Sequence, residues 1–102
     1  MTKAPVLLDG EVVAQAVNAS GNRELEVEGG LKSGPFAVLV NCKGEGKLTV
    51  EVKPVGVSFL LKCVAGDISS TYNQLDLKST HEQGTVSVTA QSIVHWAITV
   101  GR

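Results

Sequence analysis

The chain has 102 residues, a formal net charge of −1 and a pI near 6.1, and 43% of its residues are hydrophobic. This length fits one domain with a buried core, and the apolar content at so low a net charge excludes a disordered chain. Nine basic against ten acidic residues give no positive patch, so nucleic acid is not expected as a partner. Sixteen Val, three Ile, seven Thr and eleven Gly are typical of strands and turns.

The amino-terminal stretch, residues 1–10, is predicted to be a linker or a loose edge strand ahead of a single domain over residues 11–102. Apolar runs such as 37–40 fall far below the roughly 18–20 residues of a membrane helix, so no transmembrane segment is expected. Residues 6–8 are too short an apolar run for a signal-peptide core. The protein is therefore either cytoplasmic, or extracytoplasmic with its leader removed, and we expect the second.

Alternation of apolar and polar residues with a period of two predicts eight strands. The predicted ranges are 11–17, 23–27, 36–42, 47–53, 57–63, 71–77, 85–90 and 93–100. The glycine-bearing connection 43–46 predicts an antiparallel hairpin, and the cluster 18–22 predicts a turn. Eight short strands at steady spacing predict an all-β antiparallel sandwich, either jelly-roll or immunoglobulin-like.

The two cysteines each fall on the apolar face of a predicted strand, Cys42 in phase with Val40 and Cys63 in phase with Phe59. Two sulfurs that face one core can form a disulfide, and closing the 22 residues from Cys42 through Cys63 is worth about 3.4 kcal/mol in the chain-entropy model. We predict this disulfide and, with it, an oxidising compartment. The alternative is a pair of free buried thiols.

The motifs of catalytic and metal sites are missing from the sequence. It has no GxSxG elbow, no HExxH motif and no pair of carboxylates at a spacing that indicates acid–base catalysis, so no enzyme is predicted. Two cysteines without CxxC spacing and two histidines supply too few ligands for a metal, and no cofactor is expected. A hydrolase, the rival hypothesis, requires His81 or His95 to lie beside an acid and a nucleophile.

The candidate binding surface consists of Tyr72 and Asn73 with His81 and Glu82, which lie in two stretches more polar and irregular than simple turns require. A sugar-binding module would use Tyr72 or Trp96, since aromatic faces stack on pyranose rings. Trp96 has inward parity and is predicted to fill the core, whereas Tyr72 falls in an irregular segment and is free to be exposed. The predicted ligand is an unknown protein or a glycan.

From residue 36 onward the chain resembles the ectodomain of small secreted or lipid-anchored actinobacterial proteins of unassigned activity. The resemblance is carried by residues 42–46, 54–63, 84–88 and 96–100. It implies a two-cysteine β-domain that follows a lipobox leader.

The predicted function is a non-enzymatic, extracytoplasmic binding or structural module that recognises its partner by a loop rim or an exposed sheet edge. The first alternative is a cytosolic or phage-encoded interaction domain with free thiols. The second alternative is a carbohydrate-binding module. The sequence does not specify an oligomeric state.

Overall fold

The computed structural model describes residues 3–7, 10–91 and 93–102, which form eight strands with antiparallel pairing throughout. The strands are β1 (Val12–Ser20), β2 (Arg23–Glu26), β3 (Gly34–Lys43), β4 (Gly46–Lys53), β5 (Val57–Cys63), β6 (Ser69–Leu77), β7 (Thr85–Ala90) and β8 (His95–Gly101). In those described ranges no helix is long and apolar enough to cross a membrane. The predicted all-β class is confirmed.

The strands form two four-stranded sheets. Sheet A has the order β1-β8-β3-β6, and sheet B has the order β2-β7-β4-β5. Consecutive strands such as β1 and β2 lie in different sheets, whereas an immunoglobulin-like fold pairs its first two strands in one sheet. The strand order is therefore that of a jelly roll, which decides between the two predicted sandwich types.

The core lies between the two sheets and is built from alternate residues of each strand. In β4, Leu48, Val50 and Val52 are fully buried while the intervening residues reach the surface. Trp96 on β8 is also fully buried, and its indole Nε1 donates a hydrogen bond to the Gly21 carbonyl at 3.1 Å. The inward parity predicted for Trp96 is confirmed, and its one polar atom is satisfied inside the core.

A disulfide joins the two sheets. It links Cys42 at the end of β3 in sheet A to Cys63 at the end of β5 in sheet B, and both residues are buried. No free cysteine is present among the described residues, which include both cysteines of the sequence. The predicted disulfide is confirmed, because the parity of both strands placed the sulfurs in the same core.

The connection over residues 43–46 is not the predicted hairpin. β3 pairs with β6 and β8, whereas β4 pairs with β5 and β7, so the chain crosses from sheet A to sheet B at this point. Gly44, at φ 109°, is packed so closely that a Cβ there would overlap the Ile93 carbonyl. The glycines allow the chain to cross between the sheets while packing closely against the β7–β8 connection. The sequence pattern alone does not distinguish such a crossover from a hairpin turn.

The extent of β1 and the burial of Val57 differ from the prediction. β1 continues through the predicted turn to Ser20, because Asn18 takes a left-handed conformation at φ 53° and the register with β8 shifts there. Such a bulge bends a strand without ending it. Val57, predicted to face inward, is 37% exposed because it begins the edge strand β5.

Residues 69–77 form one regular strand, whereas the sequence predicted a shorter and less regular strand over residues 71–77. Every residue of β6 pairs with β3 without a register shift. Thr71 and Asn73 point towards the core side but are only half-buried, since β6 and β5 are the outermost strands on the same side of the sandwich. Because these core-facing residues are polar, the sequence of β6 lacks the alternation of apolar and polar residues that predicts a regular strand.

Candidate functional site

The outer face of sheet A carries a row of four side chains from four neighbouring strands. Gln15, Thr99, Leu39 and Tyr72 lie side by side in the register of the sheet. Tyr72 is 58% exposed, whereas Leu39 and Thr99 are buried although they point away from the core. Something other than the core therefore covers the middle of this face.

The amino-terminal residues 3–7 provide that cover. The Thr99 hydroxyl donates a hydrogen bond of 2.6 Å to the Pro5 carbonyl and accepts one of 3.0 Å from the Gln15 side-chain amide. Leu7 packs against Gly101 so closely that a Cβ at position 101 would overlap it. Residues 3–7 thus lie along the outer side of β8 without forming a strand; positions 1, 2, 8 and 9 of the predicted linker fall outside the described residues.

A groove remains between this segment and β6, which we call the Tyr72 groove. It has a volume of about 410 Å³. Its lining residues are Leu7, Gly10, Pro35, Phe36, Ala37, Tyr72, Gln74 and Arg102. Since β6 and β8 flank β3, the walls stand roughly 10 Å apart, wide enough for one extended chain of sugar rings or peptide.

The side chains around the groove combine one aromatic ring with amides and hydroxyls. Tyr72 and Gln74 are both exposed and lie on the same side of β6. In the adjoining row the Ser70 hydroxyl donates to Asn41 Oδ1 at 2.7 Å, so the two Asn41 amide hydrogens stay available to a ligand. An amphipathic ring beside neutral donors and acceptors suits a ligand with apolar faces and hydroxyl groups.

The four residues of the predicted surface do not gather at one site. Tyr72 lies on the outer face of sheet A, while the neighbouring Asn73 points to the opposite side, where its amide donates to Thr71 Oγ1 at 3.0 Å. His81 forms a two-way backbone bridge with Leu31, at 2.7 and 2.9 Å. Of the four residues, only Tyr72 lines the Tyr72 groove.

Glu82 lines a smaller hollow of about 230 Å³, formed by the β2–β3 and β6–β7 connections. Gly30 in this hollow has φ 76°, and a Cβ there would overlap the carbonyls of His81 and Glu82. The hollow is walled mainly by closely packed backbone, and it shares no lining residue with the Tyr72 groove.

The two histidines lie apart from the Tyr72 groove. His95 is exposed on the outer face of sheet A, where it pairs across the strands with Lys43 and Ser20. The Nε2 atom of His81 lies 3.3 Å from the Ser79 hydroxyl.

Gln74 was not predicted from the sequence as a groove residue, nor was Asn41 predicted as a polar residue beside the groove. A period-two reading of residues 69–77 as a strand would have placed Gln74 on the same face as Tyr72. Asn41 has the outward parity of the predicted third strand, but parity alone does not distinguish it from other outward polar residues. The covering segment 3–7 gives no signal of its own, since its position depends on the tertiary contacts of Thr99 and Gly101.

No protein-family model matches the chain, and no curated protein matches it. Among solved structures, the chain is similar to the CBM22-1–GH10 modules of the N-terminal endo-1,4-β-D-xylanase 10B of Clostridium thermocellum complexed with xylohexaose. The identity is 17% and the TM-score 0.48, over 95% of this chain and 25% of that one, so this chain spans a quarter of its length. It is also similar to the C-terminal domain of EclA, a sugar-binding protein, at 14% identity and TM-score 0.47, over 96% of this chain and 80% of that one.

Proposed function

We propose that the protein is a non-enzymatic, extracytoplasmic carbohydrate-binding module that holds a glycan in the Tyr72 groove. The observation that carries the proposal is a tyrosine ring, 58% exposed, beside a groove whose floor includes the small Ala37. The short side chain of Ala37 leaves room for a pyranose ring to approach the aromatic face, and burying that face against the sugar supplies the apolar part of the binding energy. The amides of Gln74 and Asn41 supply hydrogen bonds to hydroxyl groups.

A neutral glycan fits this groove better than an acidic one. Among the described residues that line the groove, Arg102 is the one charged residue, and its side chain is only 18% exposed. Its Nη1 atom donates to the carbonyls of Glu28 and Gly30 at 3.3 Å each, and its Nε lies 3.7 Å from a Glu11 carboxylate oxygen. The positive charge is thus engaged by the protein, which leaves uncharged donors and acceptors to contact the ligand.

The extracytoplasmic location rests on the disulfide between Cys42 and Cys63, since such bonds persist in oxidising compartments. The proposal includes the secreted or lipid-anchored class that the sequence resembles. Alkylation of unreduced protein from its native source in denaturant, in which buried thiols would react, followed by mass spectrometry, tests the location. We expect no alkylated cysteine, and two alkylated cysteines would favour the cytosolic alternative.

The ligand is tested first on a glycan array and then by calorimetry with the glycan that binds best. We expect Tyr72→Ala to weaken binding at least about tenfold, because truncating a central aromatic contact costs more than 1.4 kcal/mol. Tyr72→Phe keeps the ring and should stay within about threefold of the wild type.

Leu60→Ala is the matched control, because Leu60 is also 58% exposed but lies on β5 in sheet B. We expect it to bind glycan like the wild type. No array signal, or equal losses in the tyrosine and leucine variants, would contradict the proposal.

Binding without cleavage is the other half of the proposed function. After long incubation of the protein with its bound glycan, we expect chromatography to show no shorter product. Product that disappears in the His81→Ala or His95→Ala variant would instead establish the hydrolase hypothesis.

A further inference from the structure

The edge of sheet A at β6 is open along its whole length. β6 has nine residues, all paired with β3 on one side. On the other side, no backbone hydrogen bond from residues 69–77 reaches a turn or loop within the part of the chain that the structure describes. An edge strand of this kind presents a row of unused N–H and C=O groups to another strand.

The other three edges carry features that prevent strand pairing. β1 contains two register shifts, and its Val13 carbonyl already accepts a hydrogen bond from the Glu28 N–H at 3.0 Å. β2 has four residues, of which three are charged. β5 carries Lys62, whereas β6 has no charged residue before Asp76. Bulges, short strands and edge lysines are recognised protections, so β6 is the unprotected edge.

We propose that β6 pairs antiparallel with β6 of a second copy of this chain, joining the two A sheets into one eight-stranded sheet. The twofold axis stands perpendicular to the sheet, midway between the two β6 strands. Directly opposed residues of an antiparallel pair point to the same face, so the axis must lie between two copies of the same residue, and we place it at Asn73, the centre of the strand. A peptide of another sequence would need side chains that fit those of β6 across the pair, whereas β6 of a second copy already has side chains that fit.

The side chains of β6 are compatible with this symmetry. With the axis at Asn73, Tyr72 lies opposite the partner's Gln74 and Thr71 lies opposite the partner's Leu75, which buries that half-exposed leucine further. Ser70 faces the partner's Asp76, and the two Asp76 carboxylates stand about 20 Å apart. No like charges are opposed anywhere along the paired strands.

The pairing would extend the binding face of sheet A. Because outer residues of both copies share one face, the two Tyr72 side chains lie diagonally across the new strand pair, with Cβ atoms about 7–8 Å apart. One ring is a small platform for a glycan, and two adjacent rings with two grooves allow a longer chain to bind both copies. This consequence rests on the proposed function, but the strand pairing does not.

Sedimentation velocity without glycan tests the pairing. We expect a concentration-dependent species of twice the 10.7 kDa chain mass. Asn73→Lys sets two like charges together at the axis, and Thr71→Lys sets a charge against the partner's Leu75, so each substitution should weaken the dimer at least tenfold. Both sites are half-exposed, so a lysine can reach solvent, and circular dichroism checks that each variant folds.

Ser58→Lys on β5 is the matched control, since it adds the same charge to the exposed edge of sheet B, and it should leave the dimer unchanged. As a second measurement, mild oxidation of Asn73→Cys should yield a covalent dimer, and oxidation of Ser58→Cys should not. A wild-type monomer at millimolar concentration, or a dimer disrupted equally by all three lysine variants, would overturn the pairing. A monomer that binds glycan refutes the pairing alone, and a dimer that binds no glycan refutes the proposed function alone.

Discussion

Removing the disulfide between Cys42 and Cys63 should cost a large part of the stability of this domain. The bonded cysteines are 21 positions apart, so the bond closes a loop of 22 residues, and the chain-entropy model gives about 3.4 kcal/mol for a loop of this length. The total free energy of unfolding of a domain of about 100 residues is roughly 5–15 kcal/mol. The Cys42→Ala, Cys63→Ala double variant should also lose about 1 kcal/mol per deleted sulfur, since both sites are fully buried.

Urea unfolding followed by fluorescence measures this effect, because Trp96 is the single tryptophan and is fully buried. We expect reduction of the wild type to lower its free energy of unfolding by about 3.4 kcal/mol and its melting temperature by roughly 14–27 °C. The m-value should rise in the reduced protein and in the double variant, because an uncrosslinked unfolded chain exposes more surface. A loss below about 1 kcal/mol with an unchanged m-value would refute the reasoning.

Three further substitutions test the contacts of residues 3–7, of the β2–β3 connection and of the core. Thr99→Val leaves the Pro5 carbonyl without its donor, so amide hydrogen exchange in residues 3–7 should quicken at a stability loss of about 1–2 kcal/mol. Gly30→Ala should lower the melting temperature by at least about 5 °C, since φ 76° and the facing carbonyls leave no room for a methyl group. Trp96→Phe loses the hydrogen bond to the Gly21 carbonyl and leaves a cavity, so urea unfolding should show a free energy of unfolding lower by about 2–3 kcal/mol. Stability and exchange rates close to those of the wild type in these three variants would contradict the contacts described.

The sequence predicted strands wherever one face is fully buried. β5 and β7 have the predicted bounds, and in β4 the alternation of Leu48, Val50 and Val52 leaves no ambiguity. The same parity placed both cysteines in the core. The prediction was poorer at β6, where the half-buried Thr71 and Asn73 do not display the apolar alternation on which it depends.

Pairing between strands is a property of the whole fold, and local patterns predicted it poorly. The connection at Gly44 has the composition of a hairpin, yet it crosses between sheets because both flanking strands find better partners elsewhere. The Tyr72 groove depends on such pairings, since Gln15, Leu39 and Tyr72 are far apart in sequence and meet only across sheet A. The sequence predicted Tyr72 as a ligand contact, but the side chains around it could not be predicted without the strand pairing.

The most direct test of the account is an NMR titration of ¹⁵N-labelled protein with neutral gluco-, xylo- and manno-hexasaccharides. At least one of them should shift the amide signals of Ala37, Asn41, Tyr72 and Gln74, the residues in and beside the Tyr72 groove, and leave sheet B unchanged. Shifts confined to sheet B or to the loop that carries His81 and Glu82, or no shift with any of the three sugars, would contradict it.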